Sequence, residues 1–104
     1  MIYYYNKMVR DKIVQNINAK GSKANFKILN EEEYKKELDK KLLEEANEVI
    51  DVHSAEKIGD LLEVIIAIMK QYNISENEVK MQMEQKIKDK GAFKDKIYLI
   101  SVEE

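Results

Sequence analysis

The chain has 104 residues, 18 of them lysine or arginine and 20 aspartate or glutamate, and its formal net charge is −2. This length predicts a single domain over residues 1–104 with a modest core, and the balanced charge argues against nucleic-acid binding and against a membrane surface. The absence of cysteine excludes a disulfide framework and a zinc cluster. Without a secretory signal or an apolar run long enough to span a bilayer, a cytoplasmic protein is expected.

The N-terminal segment predicts a short helix preceded by an extended stretch. Residues 1–5 are aromatic and β-prone, and apolar residues recur at helical spacing among charged ones from about Lys7 to Ala19. Lys7, Arg10 and Lys12 have two interpretations. They are either solvated surface residues or donors of charge-assisted hydrogen bonds to phosphate oxygens.

The second predicted helix runs from about Glu31 to Val52. Asn30 is a favourable N-cap, and Glu33 at the third helical position completes a capping-box pattern. The helix carries one apolar stripe, formed by Leu38, Leu42, Ala46 and Val49.

The third predicted helix, from about Ala55 to Tyr72, follows a short connection, with Ser54 as its N-cap. The short connection predicts that it lies antiparallel to the second helix. From Leu61 to Met69 this helix is apolar on almost every side, and such a helix is usually buried on several sides. A single hairpin cannot cover it, so we expect a homodimer or homotetramer.

Ser75 and Glu78 form a second capping-box pattern, which opens a last helix that ends near Lys90 before Gly91. Its apolar side, including Met83 and Ile87, is expected to face the core. The alternating residues 97–100 predict a short strand or an extended tail. The predicted fold is therefore all-α, a four-helix bundle built on a hairpin, with a minor two-strand element where the termini meet.

Acidic residues lie on both arms of the predicted hairpin. On a helix, carboxylates three or four residues apart share one side. Asp60 and Glu63 run into apolar surface, where an isolated charge is costly unless it is paired, protonated or bound to a metal. Carboxylates that face one another across the hairpin favour a divalent cation, and oxygen ligands favour Mg²⁺ or Mn²⁺. The alternative is that the acidic stripes are solvated faces of the helices.

The segment EEANE (Glu44 to Glu48), followed by EKIGD (Glu56 to Asp60), resembles the EExxE…ExxD pattern of the all-α nucleoside triphosphate pyrophosphatases. This is the MazG-like superfamily, which includes phosphoribosyl-ATP pyrophosphohydrolase. The segments YNKMVRDKI (Tyr5 to Ile13) and KGAFKDKIYLI (Lys90 to Ile100) resemble the flanks of its phosphoribosyl-ATP pyrophosphohydrolase-like branch. One position departs from the pattern, because Lys57 stands where the family has glutamate.

The resemblance implies a metal-dependent pyrophosphohydrolase that cleaves a nucleoside triphosphate, or a related compound such as phosphoribosyl-ATP, between the α and β phosphates. The implied metal ligands are Glu45, Glu48 and Asp60, with Glu63 or Glu56 completing the set. Glu44, or whichever carboxylate stays free of metal, is the candidate general base. Lys7, Arg10 and Lys12 are the candidate phosphate-binding residues. The alternative from another class is a helical oligomer that binds nucleotides or protein partners without turnover.

Overall fold

The computed structural model describes residues 1–104 and contains four helices and no strands. The helices are α1 (Ile13–Ala19), α2 (Glu31–Asp51), α3 (Ala55–Gln71) and α4 (Glu76–Lys90). The predicted all-α, four-helix fold is confirmed. None of these helices is both long enough and apolar enough to cross a lipid bilayer.

Helix α1 begins at Ile13 and not at Lys7, so the residues that precede it are irregular. Asn6 adopts a φ of 46°, which interrupts any helix that includes it, and the N-cap residue Lys12 supplies no side-chain hydrogen bond. A short helix without a cap is marginal in water. The side chain of Arg10, which lies just before α1, donates hydrogen bonds to Glu63 and Asp60 on α3.

Local hydrogen bonds fix the starts of α2 and α3. The Asn30 side chain accepts a hydrogen bond from the Glu33 amide (2.9 Å), and the Glu33 side chain accepts one from the Asn30 amide (3.2 Å). Ser54 Oγ accepts a hydrogen bond from the Lys57 amide at 3.2 Å. Both caps were predicted from sequence, because the interacting residues are only three positions apart.

Helices α2 and α3 form the predicted antiparallel hairpin, and theirs is the one extensive helix–helix contact in the chain. The ammonium group of Lys35, near the start of α2, lies 5.4 Å from the ring centre of Tyr72, at the end of α3. Leu38 is the only apolar residue that is fully buried, with 1% of its surface exposed. The hairpin therefore contains little core of its own.

Helix α4 has the predicted capping box, in which Ser75 and Glu78 exchange hydrogen bonds of 3.1 and 3.3 Å, and it ends at Gly91, where φ is 81°. Its apolar side does not face a core, because Met83 and Ile87 are 60% and 54% exposed. The prediction of a covered methionine stripe is thus wrong for an isolated chain. No other helix makes an extensive contact with α4.

The predicted two-strand element is also not formed. Residues 1–5 and 97–100 are exposed and have no regular structure. Two isolated strands without a sheet neighbour or a covering helix are marginally stable at best, so β-prone composition alone does not pair them.

The chain is far more extended than a compact domain of the same length. Its radius of gyration is 19.0 Å, whereas a compact chain of about 100 residues has a radius near ~13 Å. Its accessible surface is 10,063 Å², against about 6,000 Å² for a compact protein of 12.2 kDa. Only two residues, Leu38 and Glu45, are buried.

Candidate metal centre

Three carboxylates meet at the contact between α2 and α3. Glu45 and Glu48 on α2 and Asp60 on α3 each place one oxygen within 4.8 Å of the others. These are the three residues that the resemblance implied as principal metal ligands. The alternative of solvated acidic faces is therefore contradicted at Glu45, which is 7% exposed, although Glu48 and Asp60 are only half-buried.

Two features of the sequence bring this cluster together. Glu45 lies one turn before Glu48, and it occupies a position of the apolar stripe, three residues after Leu42 and four before Val49. That position faces α3, which explains why a glutamate is buried there. Because Ser54 starts α3 immediately after the short connection, Asp60 lies within the second turn of α3, opposite the end of α2.

The carboxylate of Glu45 lacks a partner for one of its oxygens. Oε2 is buried and accepts no hydrogen bond, while the other oxygen, Oε1, lies 3.7 Å from the Lys41 ammonium group. Burial raises the pKa of Glu45 above its ordinary value, and the charge of Glu48 raises it further. A buried anionic oxygen without a donor costs free energy that a bound cation would offset. The residues present therefore fit a cation.

Lys57 contacts this cluster directly. Its Nζ donates a hydrogen bond to Oε2 of Glu48 at 3.1 Å. This ion pair lowers the pKa of the Glu48 carboxyl group and raises the pKa of Lys57. The residue that departs from the family pattern thus places an ammonium group on one of the three carboxylates.

Arg10 reaches the cluster from the irregular N-terminal segment. Nη2 donates to Oδ1 of Asp60 at 2.6 Å and to Oε1 of Glu63 at 3.1 Å, and Nη1 donates to Oε2 of Glu63 at 2.6 Å. These contacts lower the pKa of Glu63 and raise that of Arg10. A residue predicted to contact phosphate therefore contacts two of the predicted metal ligands.

The remaining predicted site residues lie around the cluster and outside it. Glu44 is half-buried and pairs with Lys41 at 3.5 Å. Glu63 holds Arg10 and is not one of the three converging carboxylates, and Glu56 is exposed at the start of α3. Lys7 and Lys12 are exposed and form no ion pair.

Lys41 is the site residue that sequence reasoning missed. It contacts both Glu44 and Glu45 along α2, at distances of 3.5 and 3.7 Å. The signal was present in the sequence, since Lys41 lies three and four residues before these glutamates and such pairs are neighbours on a helix.

The charges around the cluster do not cancel. The acidic side chains in these contacts are Glu44, Glu45, Glu48, Asp60 and Glu63, and the basic ones are Lys41, Lys57 and Arg10. When all are ionised, five negative charges oppose three positive ones. The remaining two negative charges match one divalent cation, and hard carboxylate oxygens suit Mg²⁺ or Mn²⁺.

Comparison of the chain with protein-family models, with curated proteins and with solved structures finds no match.

Proposed function

We propose that the protein is a metal-dependent pyrophosphohydrolase whose cation is held between α2 and α3. The observation that carries the proposal is the Glu45 carboxylate, which is buried, has an oxygen without a hydrogen-bond partner, and lies against the carboxylates of Glu48 and Asp60. Ion pairs on a solvated helix face leave no buried carboxylate oxygen without a donor, whereas Oε2 of Glu45 is such an oxygen. A cation bound at this cluster would offset the cost of that buried charge.

Glu45, Glu48 and Asp60 would hold the cation, with Mg²⁺ as the first candidate and Mn²⁺ as the second. A bound Mg²⁺ would neutralise charge that develops on phosphate oxygens and lower the pKa of an attacking water. Glu44 is the carboxylate on the same helix that lies outside the converging three. Its half-buried position beside Lys41 keeps it accessible to water, so we assign it the role of general base.

The substrate class rests on the resemblance of Glu44–Glu48 and Glu56–Asp60 to the MazG-like pattern. The proposed substrate is a nucleoside triphosphate or a related compound such as phosphoribosyl-ATP. Cleavage between the α and β phosphates by water would give a monophosphate and pyrophosphate. Arg10, Lys7 and Lys12, in the N-terminal segment, would supply positive charge to the phosphates.

The proposal includes a homo-oligomer, either a dimer or a tetramer. Ile58, Leu62 and Ile66 follow one another at four-residue spacing on α3, and each is about half exposed. The accessible surface exceeds that of a compact chain by about 4,000 Å², which is more than the ~800 Å² that one partner contributes to a standard interface. A second copy of this chain supplies the matching apolar surface that such a stripe needs.

The activity is tested by incubating the protein with a panel of nucleoside triphosphates and with phosphoribosyl-ATP, in Mg²⁺ and in EDTA, and measuring pyrophosphate release. We expect release from at least one compound in Mg²⁺ and none in EDTA. Glu45→Gln should abolish this release. Lys27→Gln is the control, because it breaks an ion pair of 2.8 Å with Glu33 that lies outside the cluster.

The second candidate function is a nucleotide-binding or protein-binding oligomer without turnover. The ion pairs of Arg10 and Lys57 favour it, because they already place positive charge on Asp60 and Glu48. Nucleotide binding without pyrophosphate release from any compound of the panel would support this second function over the first.

A further inference from the structure

Arg10 is the only arginine in a chain with 18 basic residues, and it lies at the acidic cluster. No hydrogen bond other than those of Arg10 joins residues 1–12 to α2 or α3. Guanidinium presents a planar fork of donors, which lysine does not. The only arginine therefore lies where the paired donors of a guanidinium group contact two carboxylates.

Arg10 donates a different number of hydrogen bonds to each of its two carboxylate partners. Glu63 receives both guanidinium nitrogens, at 2.6 and 3.1 Å, so it holds Arg10 by a bidentate pair. Asp60 receives only Nη2, at 2.6 Å, and its carboxylate also belongs to the three that converge with buried Glu45. Asp60 is thus shared between the guanidinium and the candidate metal centre, whereas Glu63 is not.

A divalent cation bound to Asp60 would be repelled by the positive charge of Arg10. A cation held by carboxylate oxygens lies about 2.0–2.6 Å from them. Asp60 would then contact both the Arg10 guanidinium group and a divalent cation. These two positive charges would repel each other strongly at such short range. The unpartnered oxygen of Glu45 draws the cation inward, toward the buried side of the cluster. The Arg10 side chain is 56% exposed, so its guanidinium group can move toward solvent more easily than a cation on the buried side can.

We infer that Asp60 exchanges Arg10 for the divalent cation, while Glu63 retains Arg10 at the edge of the site. This inference rests on the proposed metal centre and adds a role for two residues around it. Glu63 acts as a positioning residue and not as a ligand. After the exchange, Nη2 of Arg10 has a free donor beside the cation, where it meets an oxygen of a bound polyphosphate. Binding of the cation thereby prepares the phosphate site.

The exchange can be followed without resonance assignment, because a single arginine gives a single side-chain Nε–Hε signal in a ¹⁵N correlation spectrum. MgCl₂ is titrated into the ¹⁵N-labelled full-length protein, with NaCl of matched ionic strength as the control. The Arg10 signal should shift saturably with Mg²⁺, toward its position in Asp60→Asn without Mg²⁺. An Arg10 signal that stays fixed while calorimetry shows Mg²⁺ binding would overturn the inference.

Isothermal titration of Mg²⁺ gives the second readout. Arg10→Gln should bind Mg²⁺ at least about fivefold more tightly than the wild type, because the competing charge is gone. Arg10→Lys should fall between the two. The control Lys27→Gln removes the same charge from the exposed Glu33 pair and should bind like the wild type. Equal affinity in wild type and Arg10→Gln overturns the exchange but leaves the metal centre standing, whereas no binding by either protein overturns both.

Discussion

Lys57 and Glu48 form an ion pair across the hairpin, with 3.1 Å between Nζ of Lys57 on α3 and Oε2 of Glu48 on α2. The backbone amide of Lys57 also donates a hydrogen bond to Oγ of Ser54, the N-cap of α3. The backbone of Lys57 therefore helps to start α3, and its side chain neutralises one carboxylate of the candidate metal centre. This is the position at which the resembled family has glutamate.

Replacing Lys57 tests whether the ammonium group weakens the metal centre. Lys57→Glu should tighten Mg²⁺ binding by roughly tenfold, because the change removes a repelling charge and adds a carboxylate beside Glu48. Lys57→Gln should tighten it less, since it removes the charge without adding a ligand. Isothermal titration of the three proteins measures both effects, and identical affinities in all three would show that Lys57 does not act on the site.

Glu45→Gln should stabilise the metal-free protein at neutral pH. The buried Oε2 has no donor, and an amide removes the buried charge at nearly constant shape. In EDTA at pH 7.5 we expect the melting temperature to rise by about 4–8 °C, the shift that ~1 kcal/mol produces in a domain of this size. The same variant should lose Mg²⁺ binding.

The stabilisation by Glu45→Gln should depend on pH. Burial raises the pKa of Glu45 in the folded state, so the folded state binds this proton more tightly than the unfolded chain does. Ionisation of Glu45 therefore destabilises the fold increasingly as pH rises from about 4.5 through the raised pKa. The difference in melting temperature between variant and wild type should shrink toward zero near pH 4. A difference that does not depend on pH would contradict the buried charge as its cause.

Asp60→Asn should weaken Mg²⁺ binding by at least about tenfold, because it removes one of three charged oxygen ligands. The fold should survive, since Arg10 keeps its bidentate pair with Glu63. Asp39→Asn is the matched control, because Asp39 is exposed on α2 and forms no ion pair. Unchanged Mg²⁺ affinity in Asp60→Asn would remove Asp60 from the ligand set.

Glu63→Gln separates the two roles considered for this residue. As the anchor of Arg10, Glu63 is not needed to hold the cation, and its loss should leave Mg²⁺ affinity unchanged or slightly tighter. As a metal ligand, its loss should weaken Mg²⁺ binding as Asp60→Asn does. Titration of both variants under one set of conditions decides between them, and we expect the first result.

Leu62→Asp should disrupt the proposed oligomer, because it places a charge in the centre of the exposed stripe on α3. The wild type should elute in size exclusion with light scattering at a multiple of 12.2 kDa. Leu62→Asp should give a monomer or lose helicity, whereas Ile28→Asp, at an 86% exposed position before α2, should do neither. A wild-type monomer at micromolar concentration would contradict the oligomer.

Local structure was predictable from the sequence because its causes are local. The caps at Asn30, Ser54 and Ser75 each depend on a partner three residues away, and the structure has all three. The exception is α1, for which helical spacing alone gave a start at Lys7. Spacing describes which face a helix would present, but it does not supply the hydrogen bonds that a short helix needs to begin.

The sequence by itself determined four helices, an antiparallel hairpin and acidic residues spaced to share helix faces, since each depends on interactions within a few positions. Only the tertiary structure decided that Glu45 is buried, that Lys57 pairs with Glu48, and that Arg10 reaches Asp60 from 50 residues away. These contacts depend on how α2 and α3 are rotated and aligned against each other. Packing between the helices sets that alignment, and no spacing along one helix encodes it.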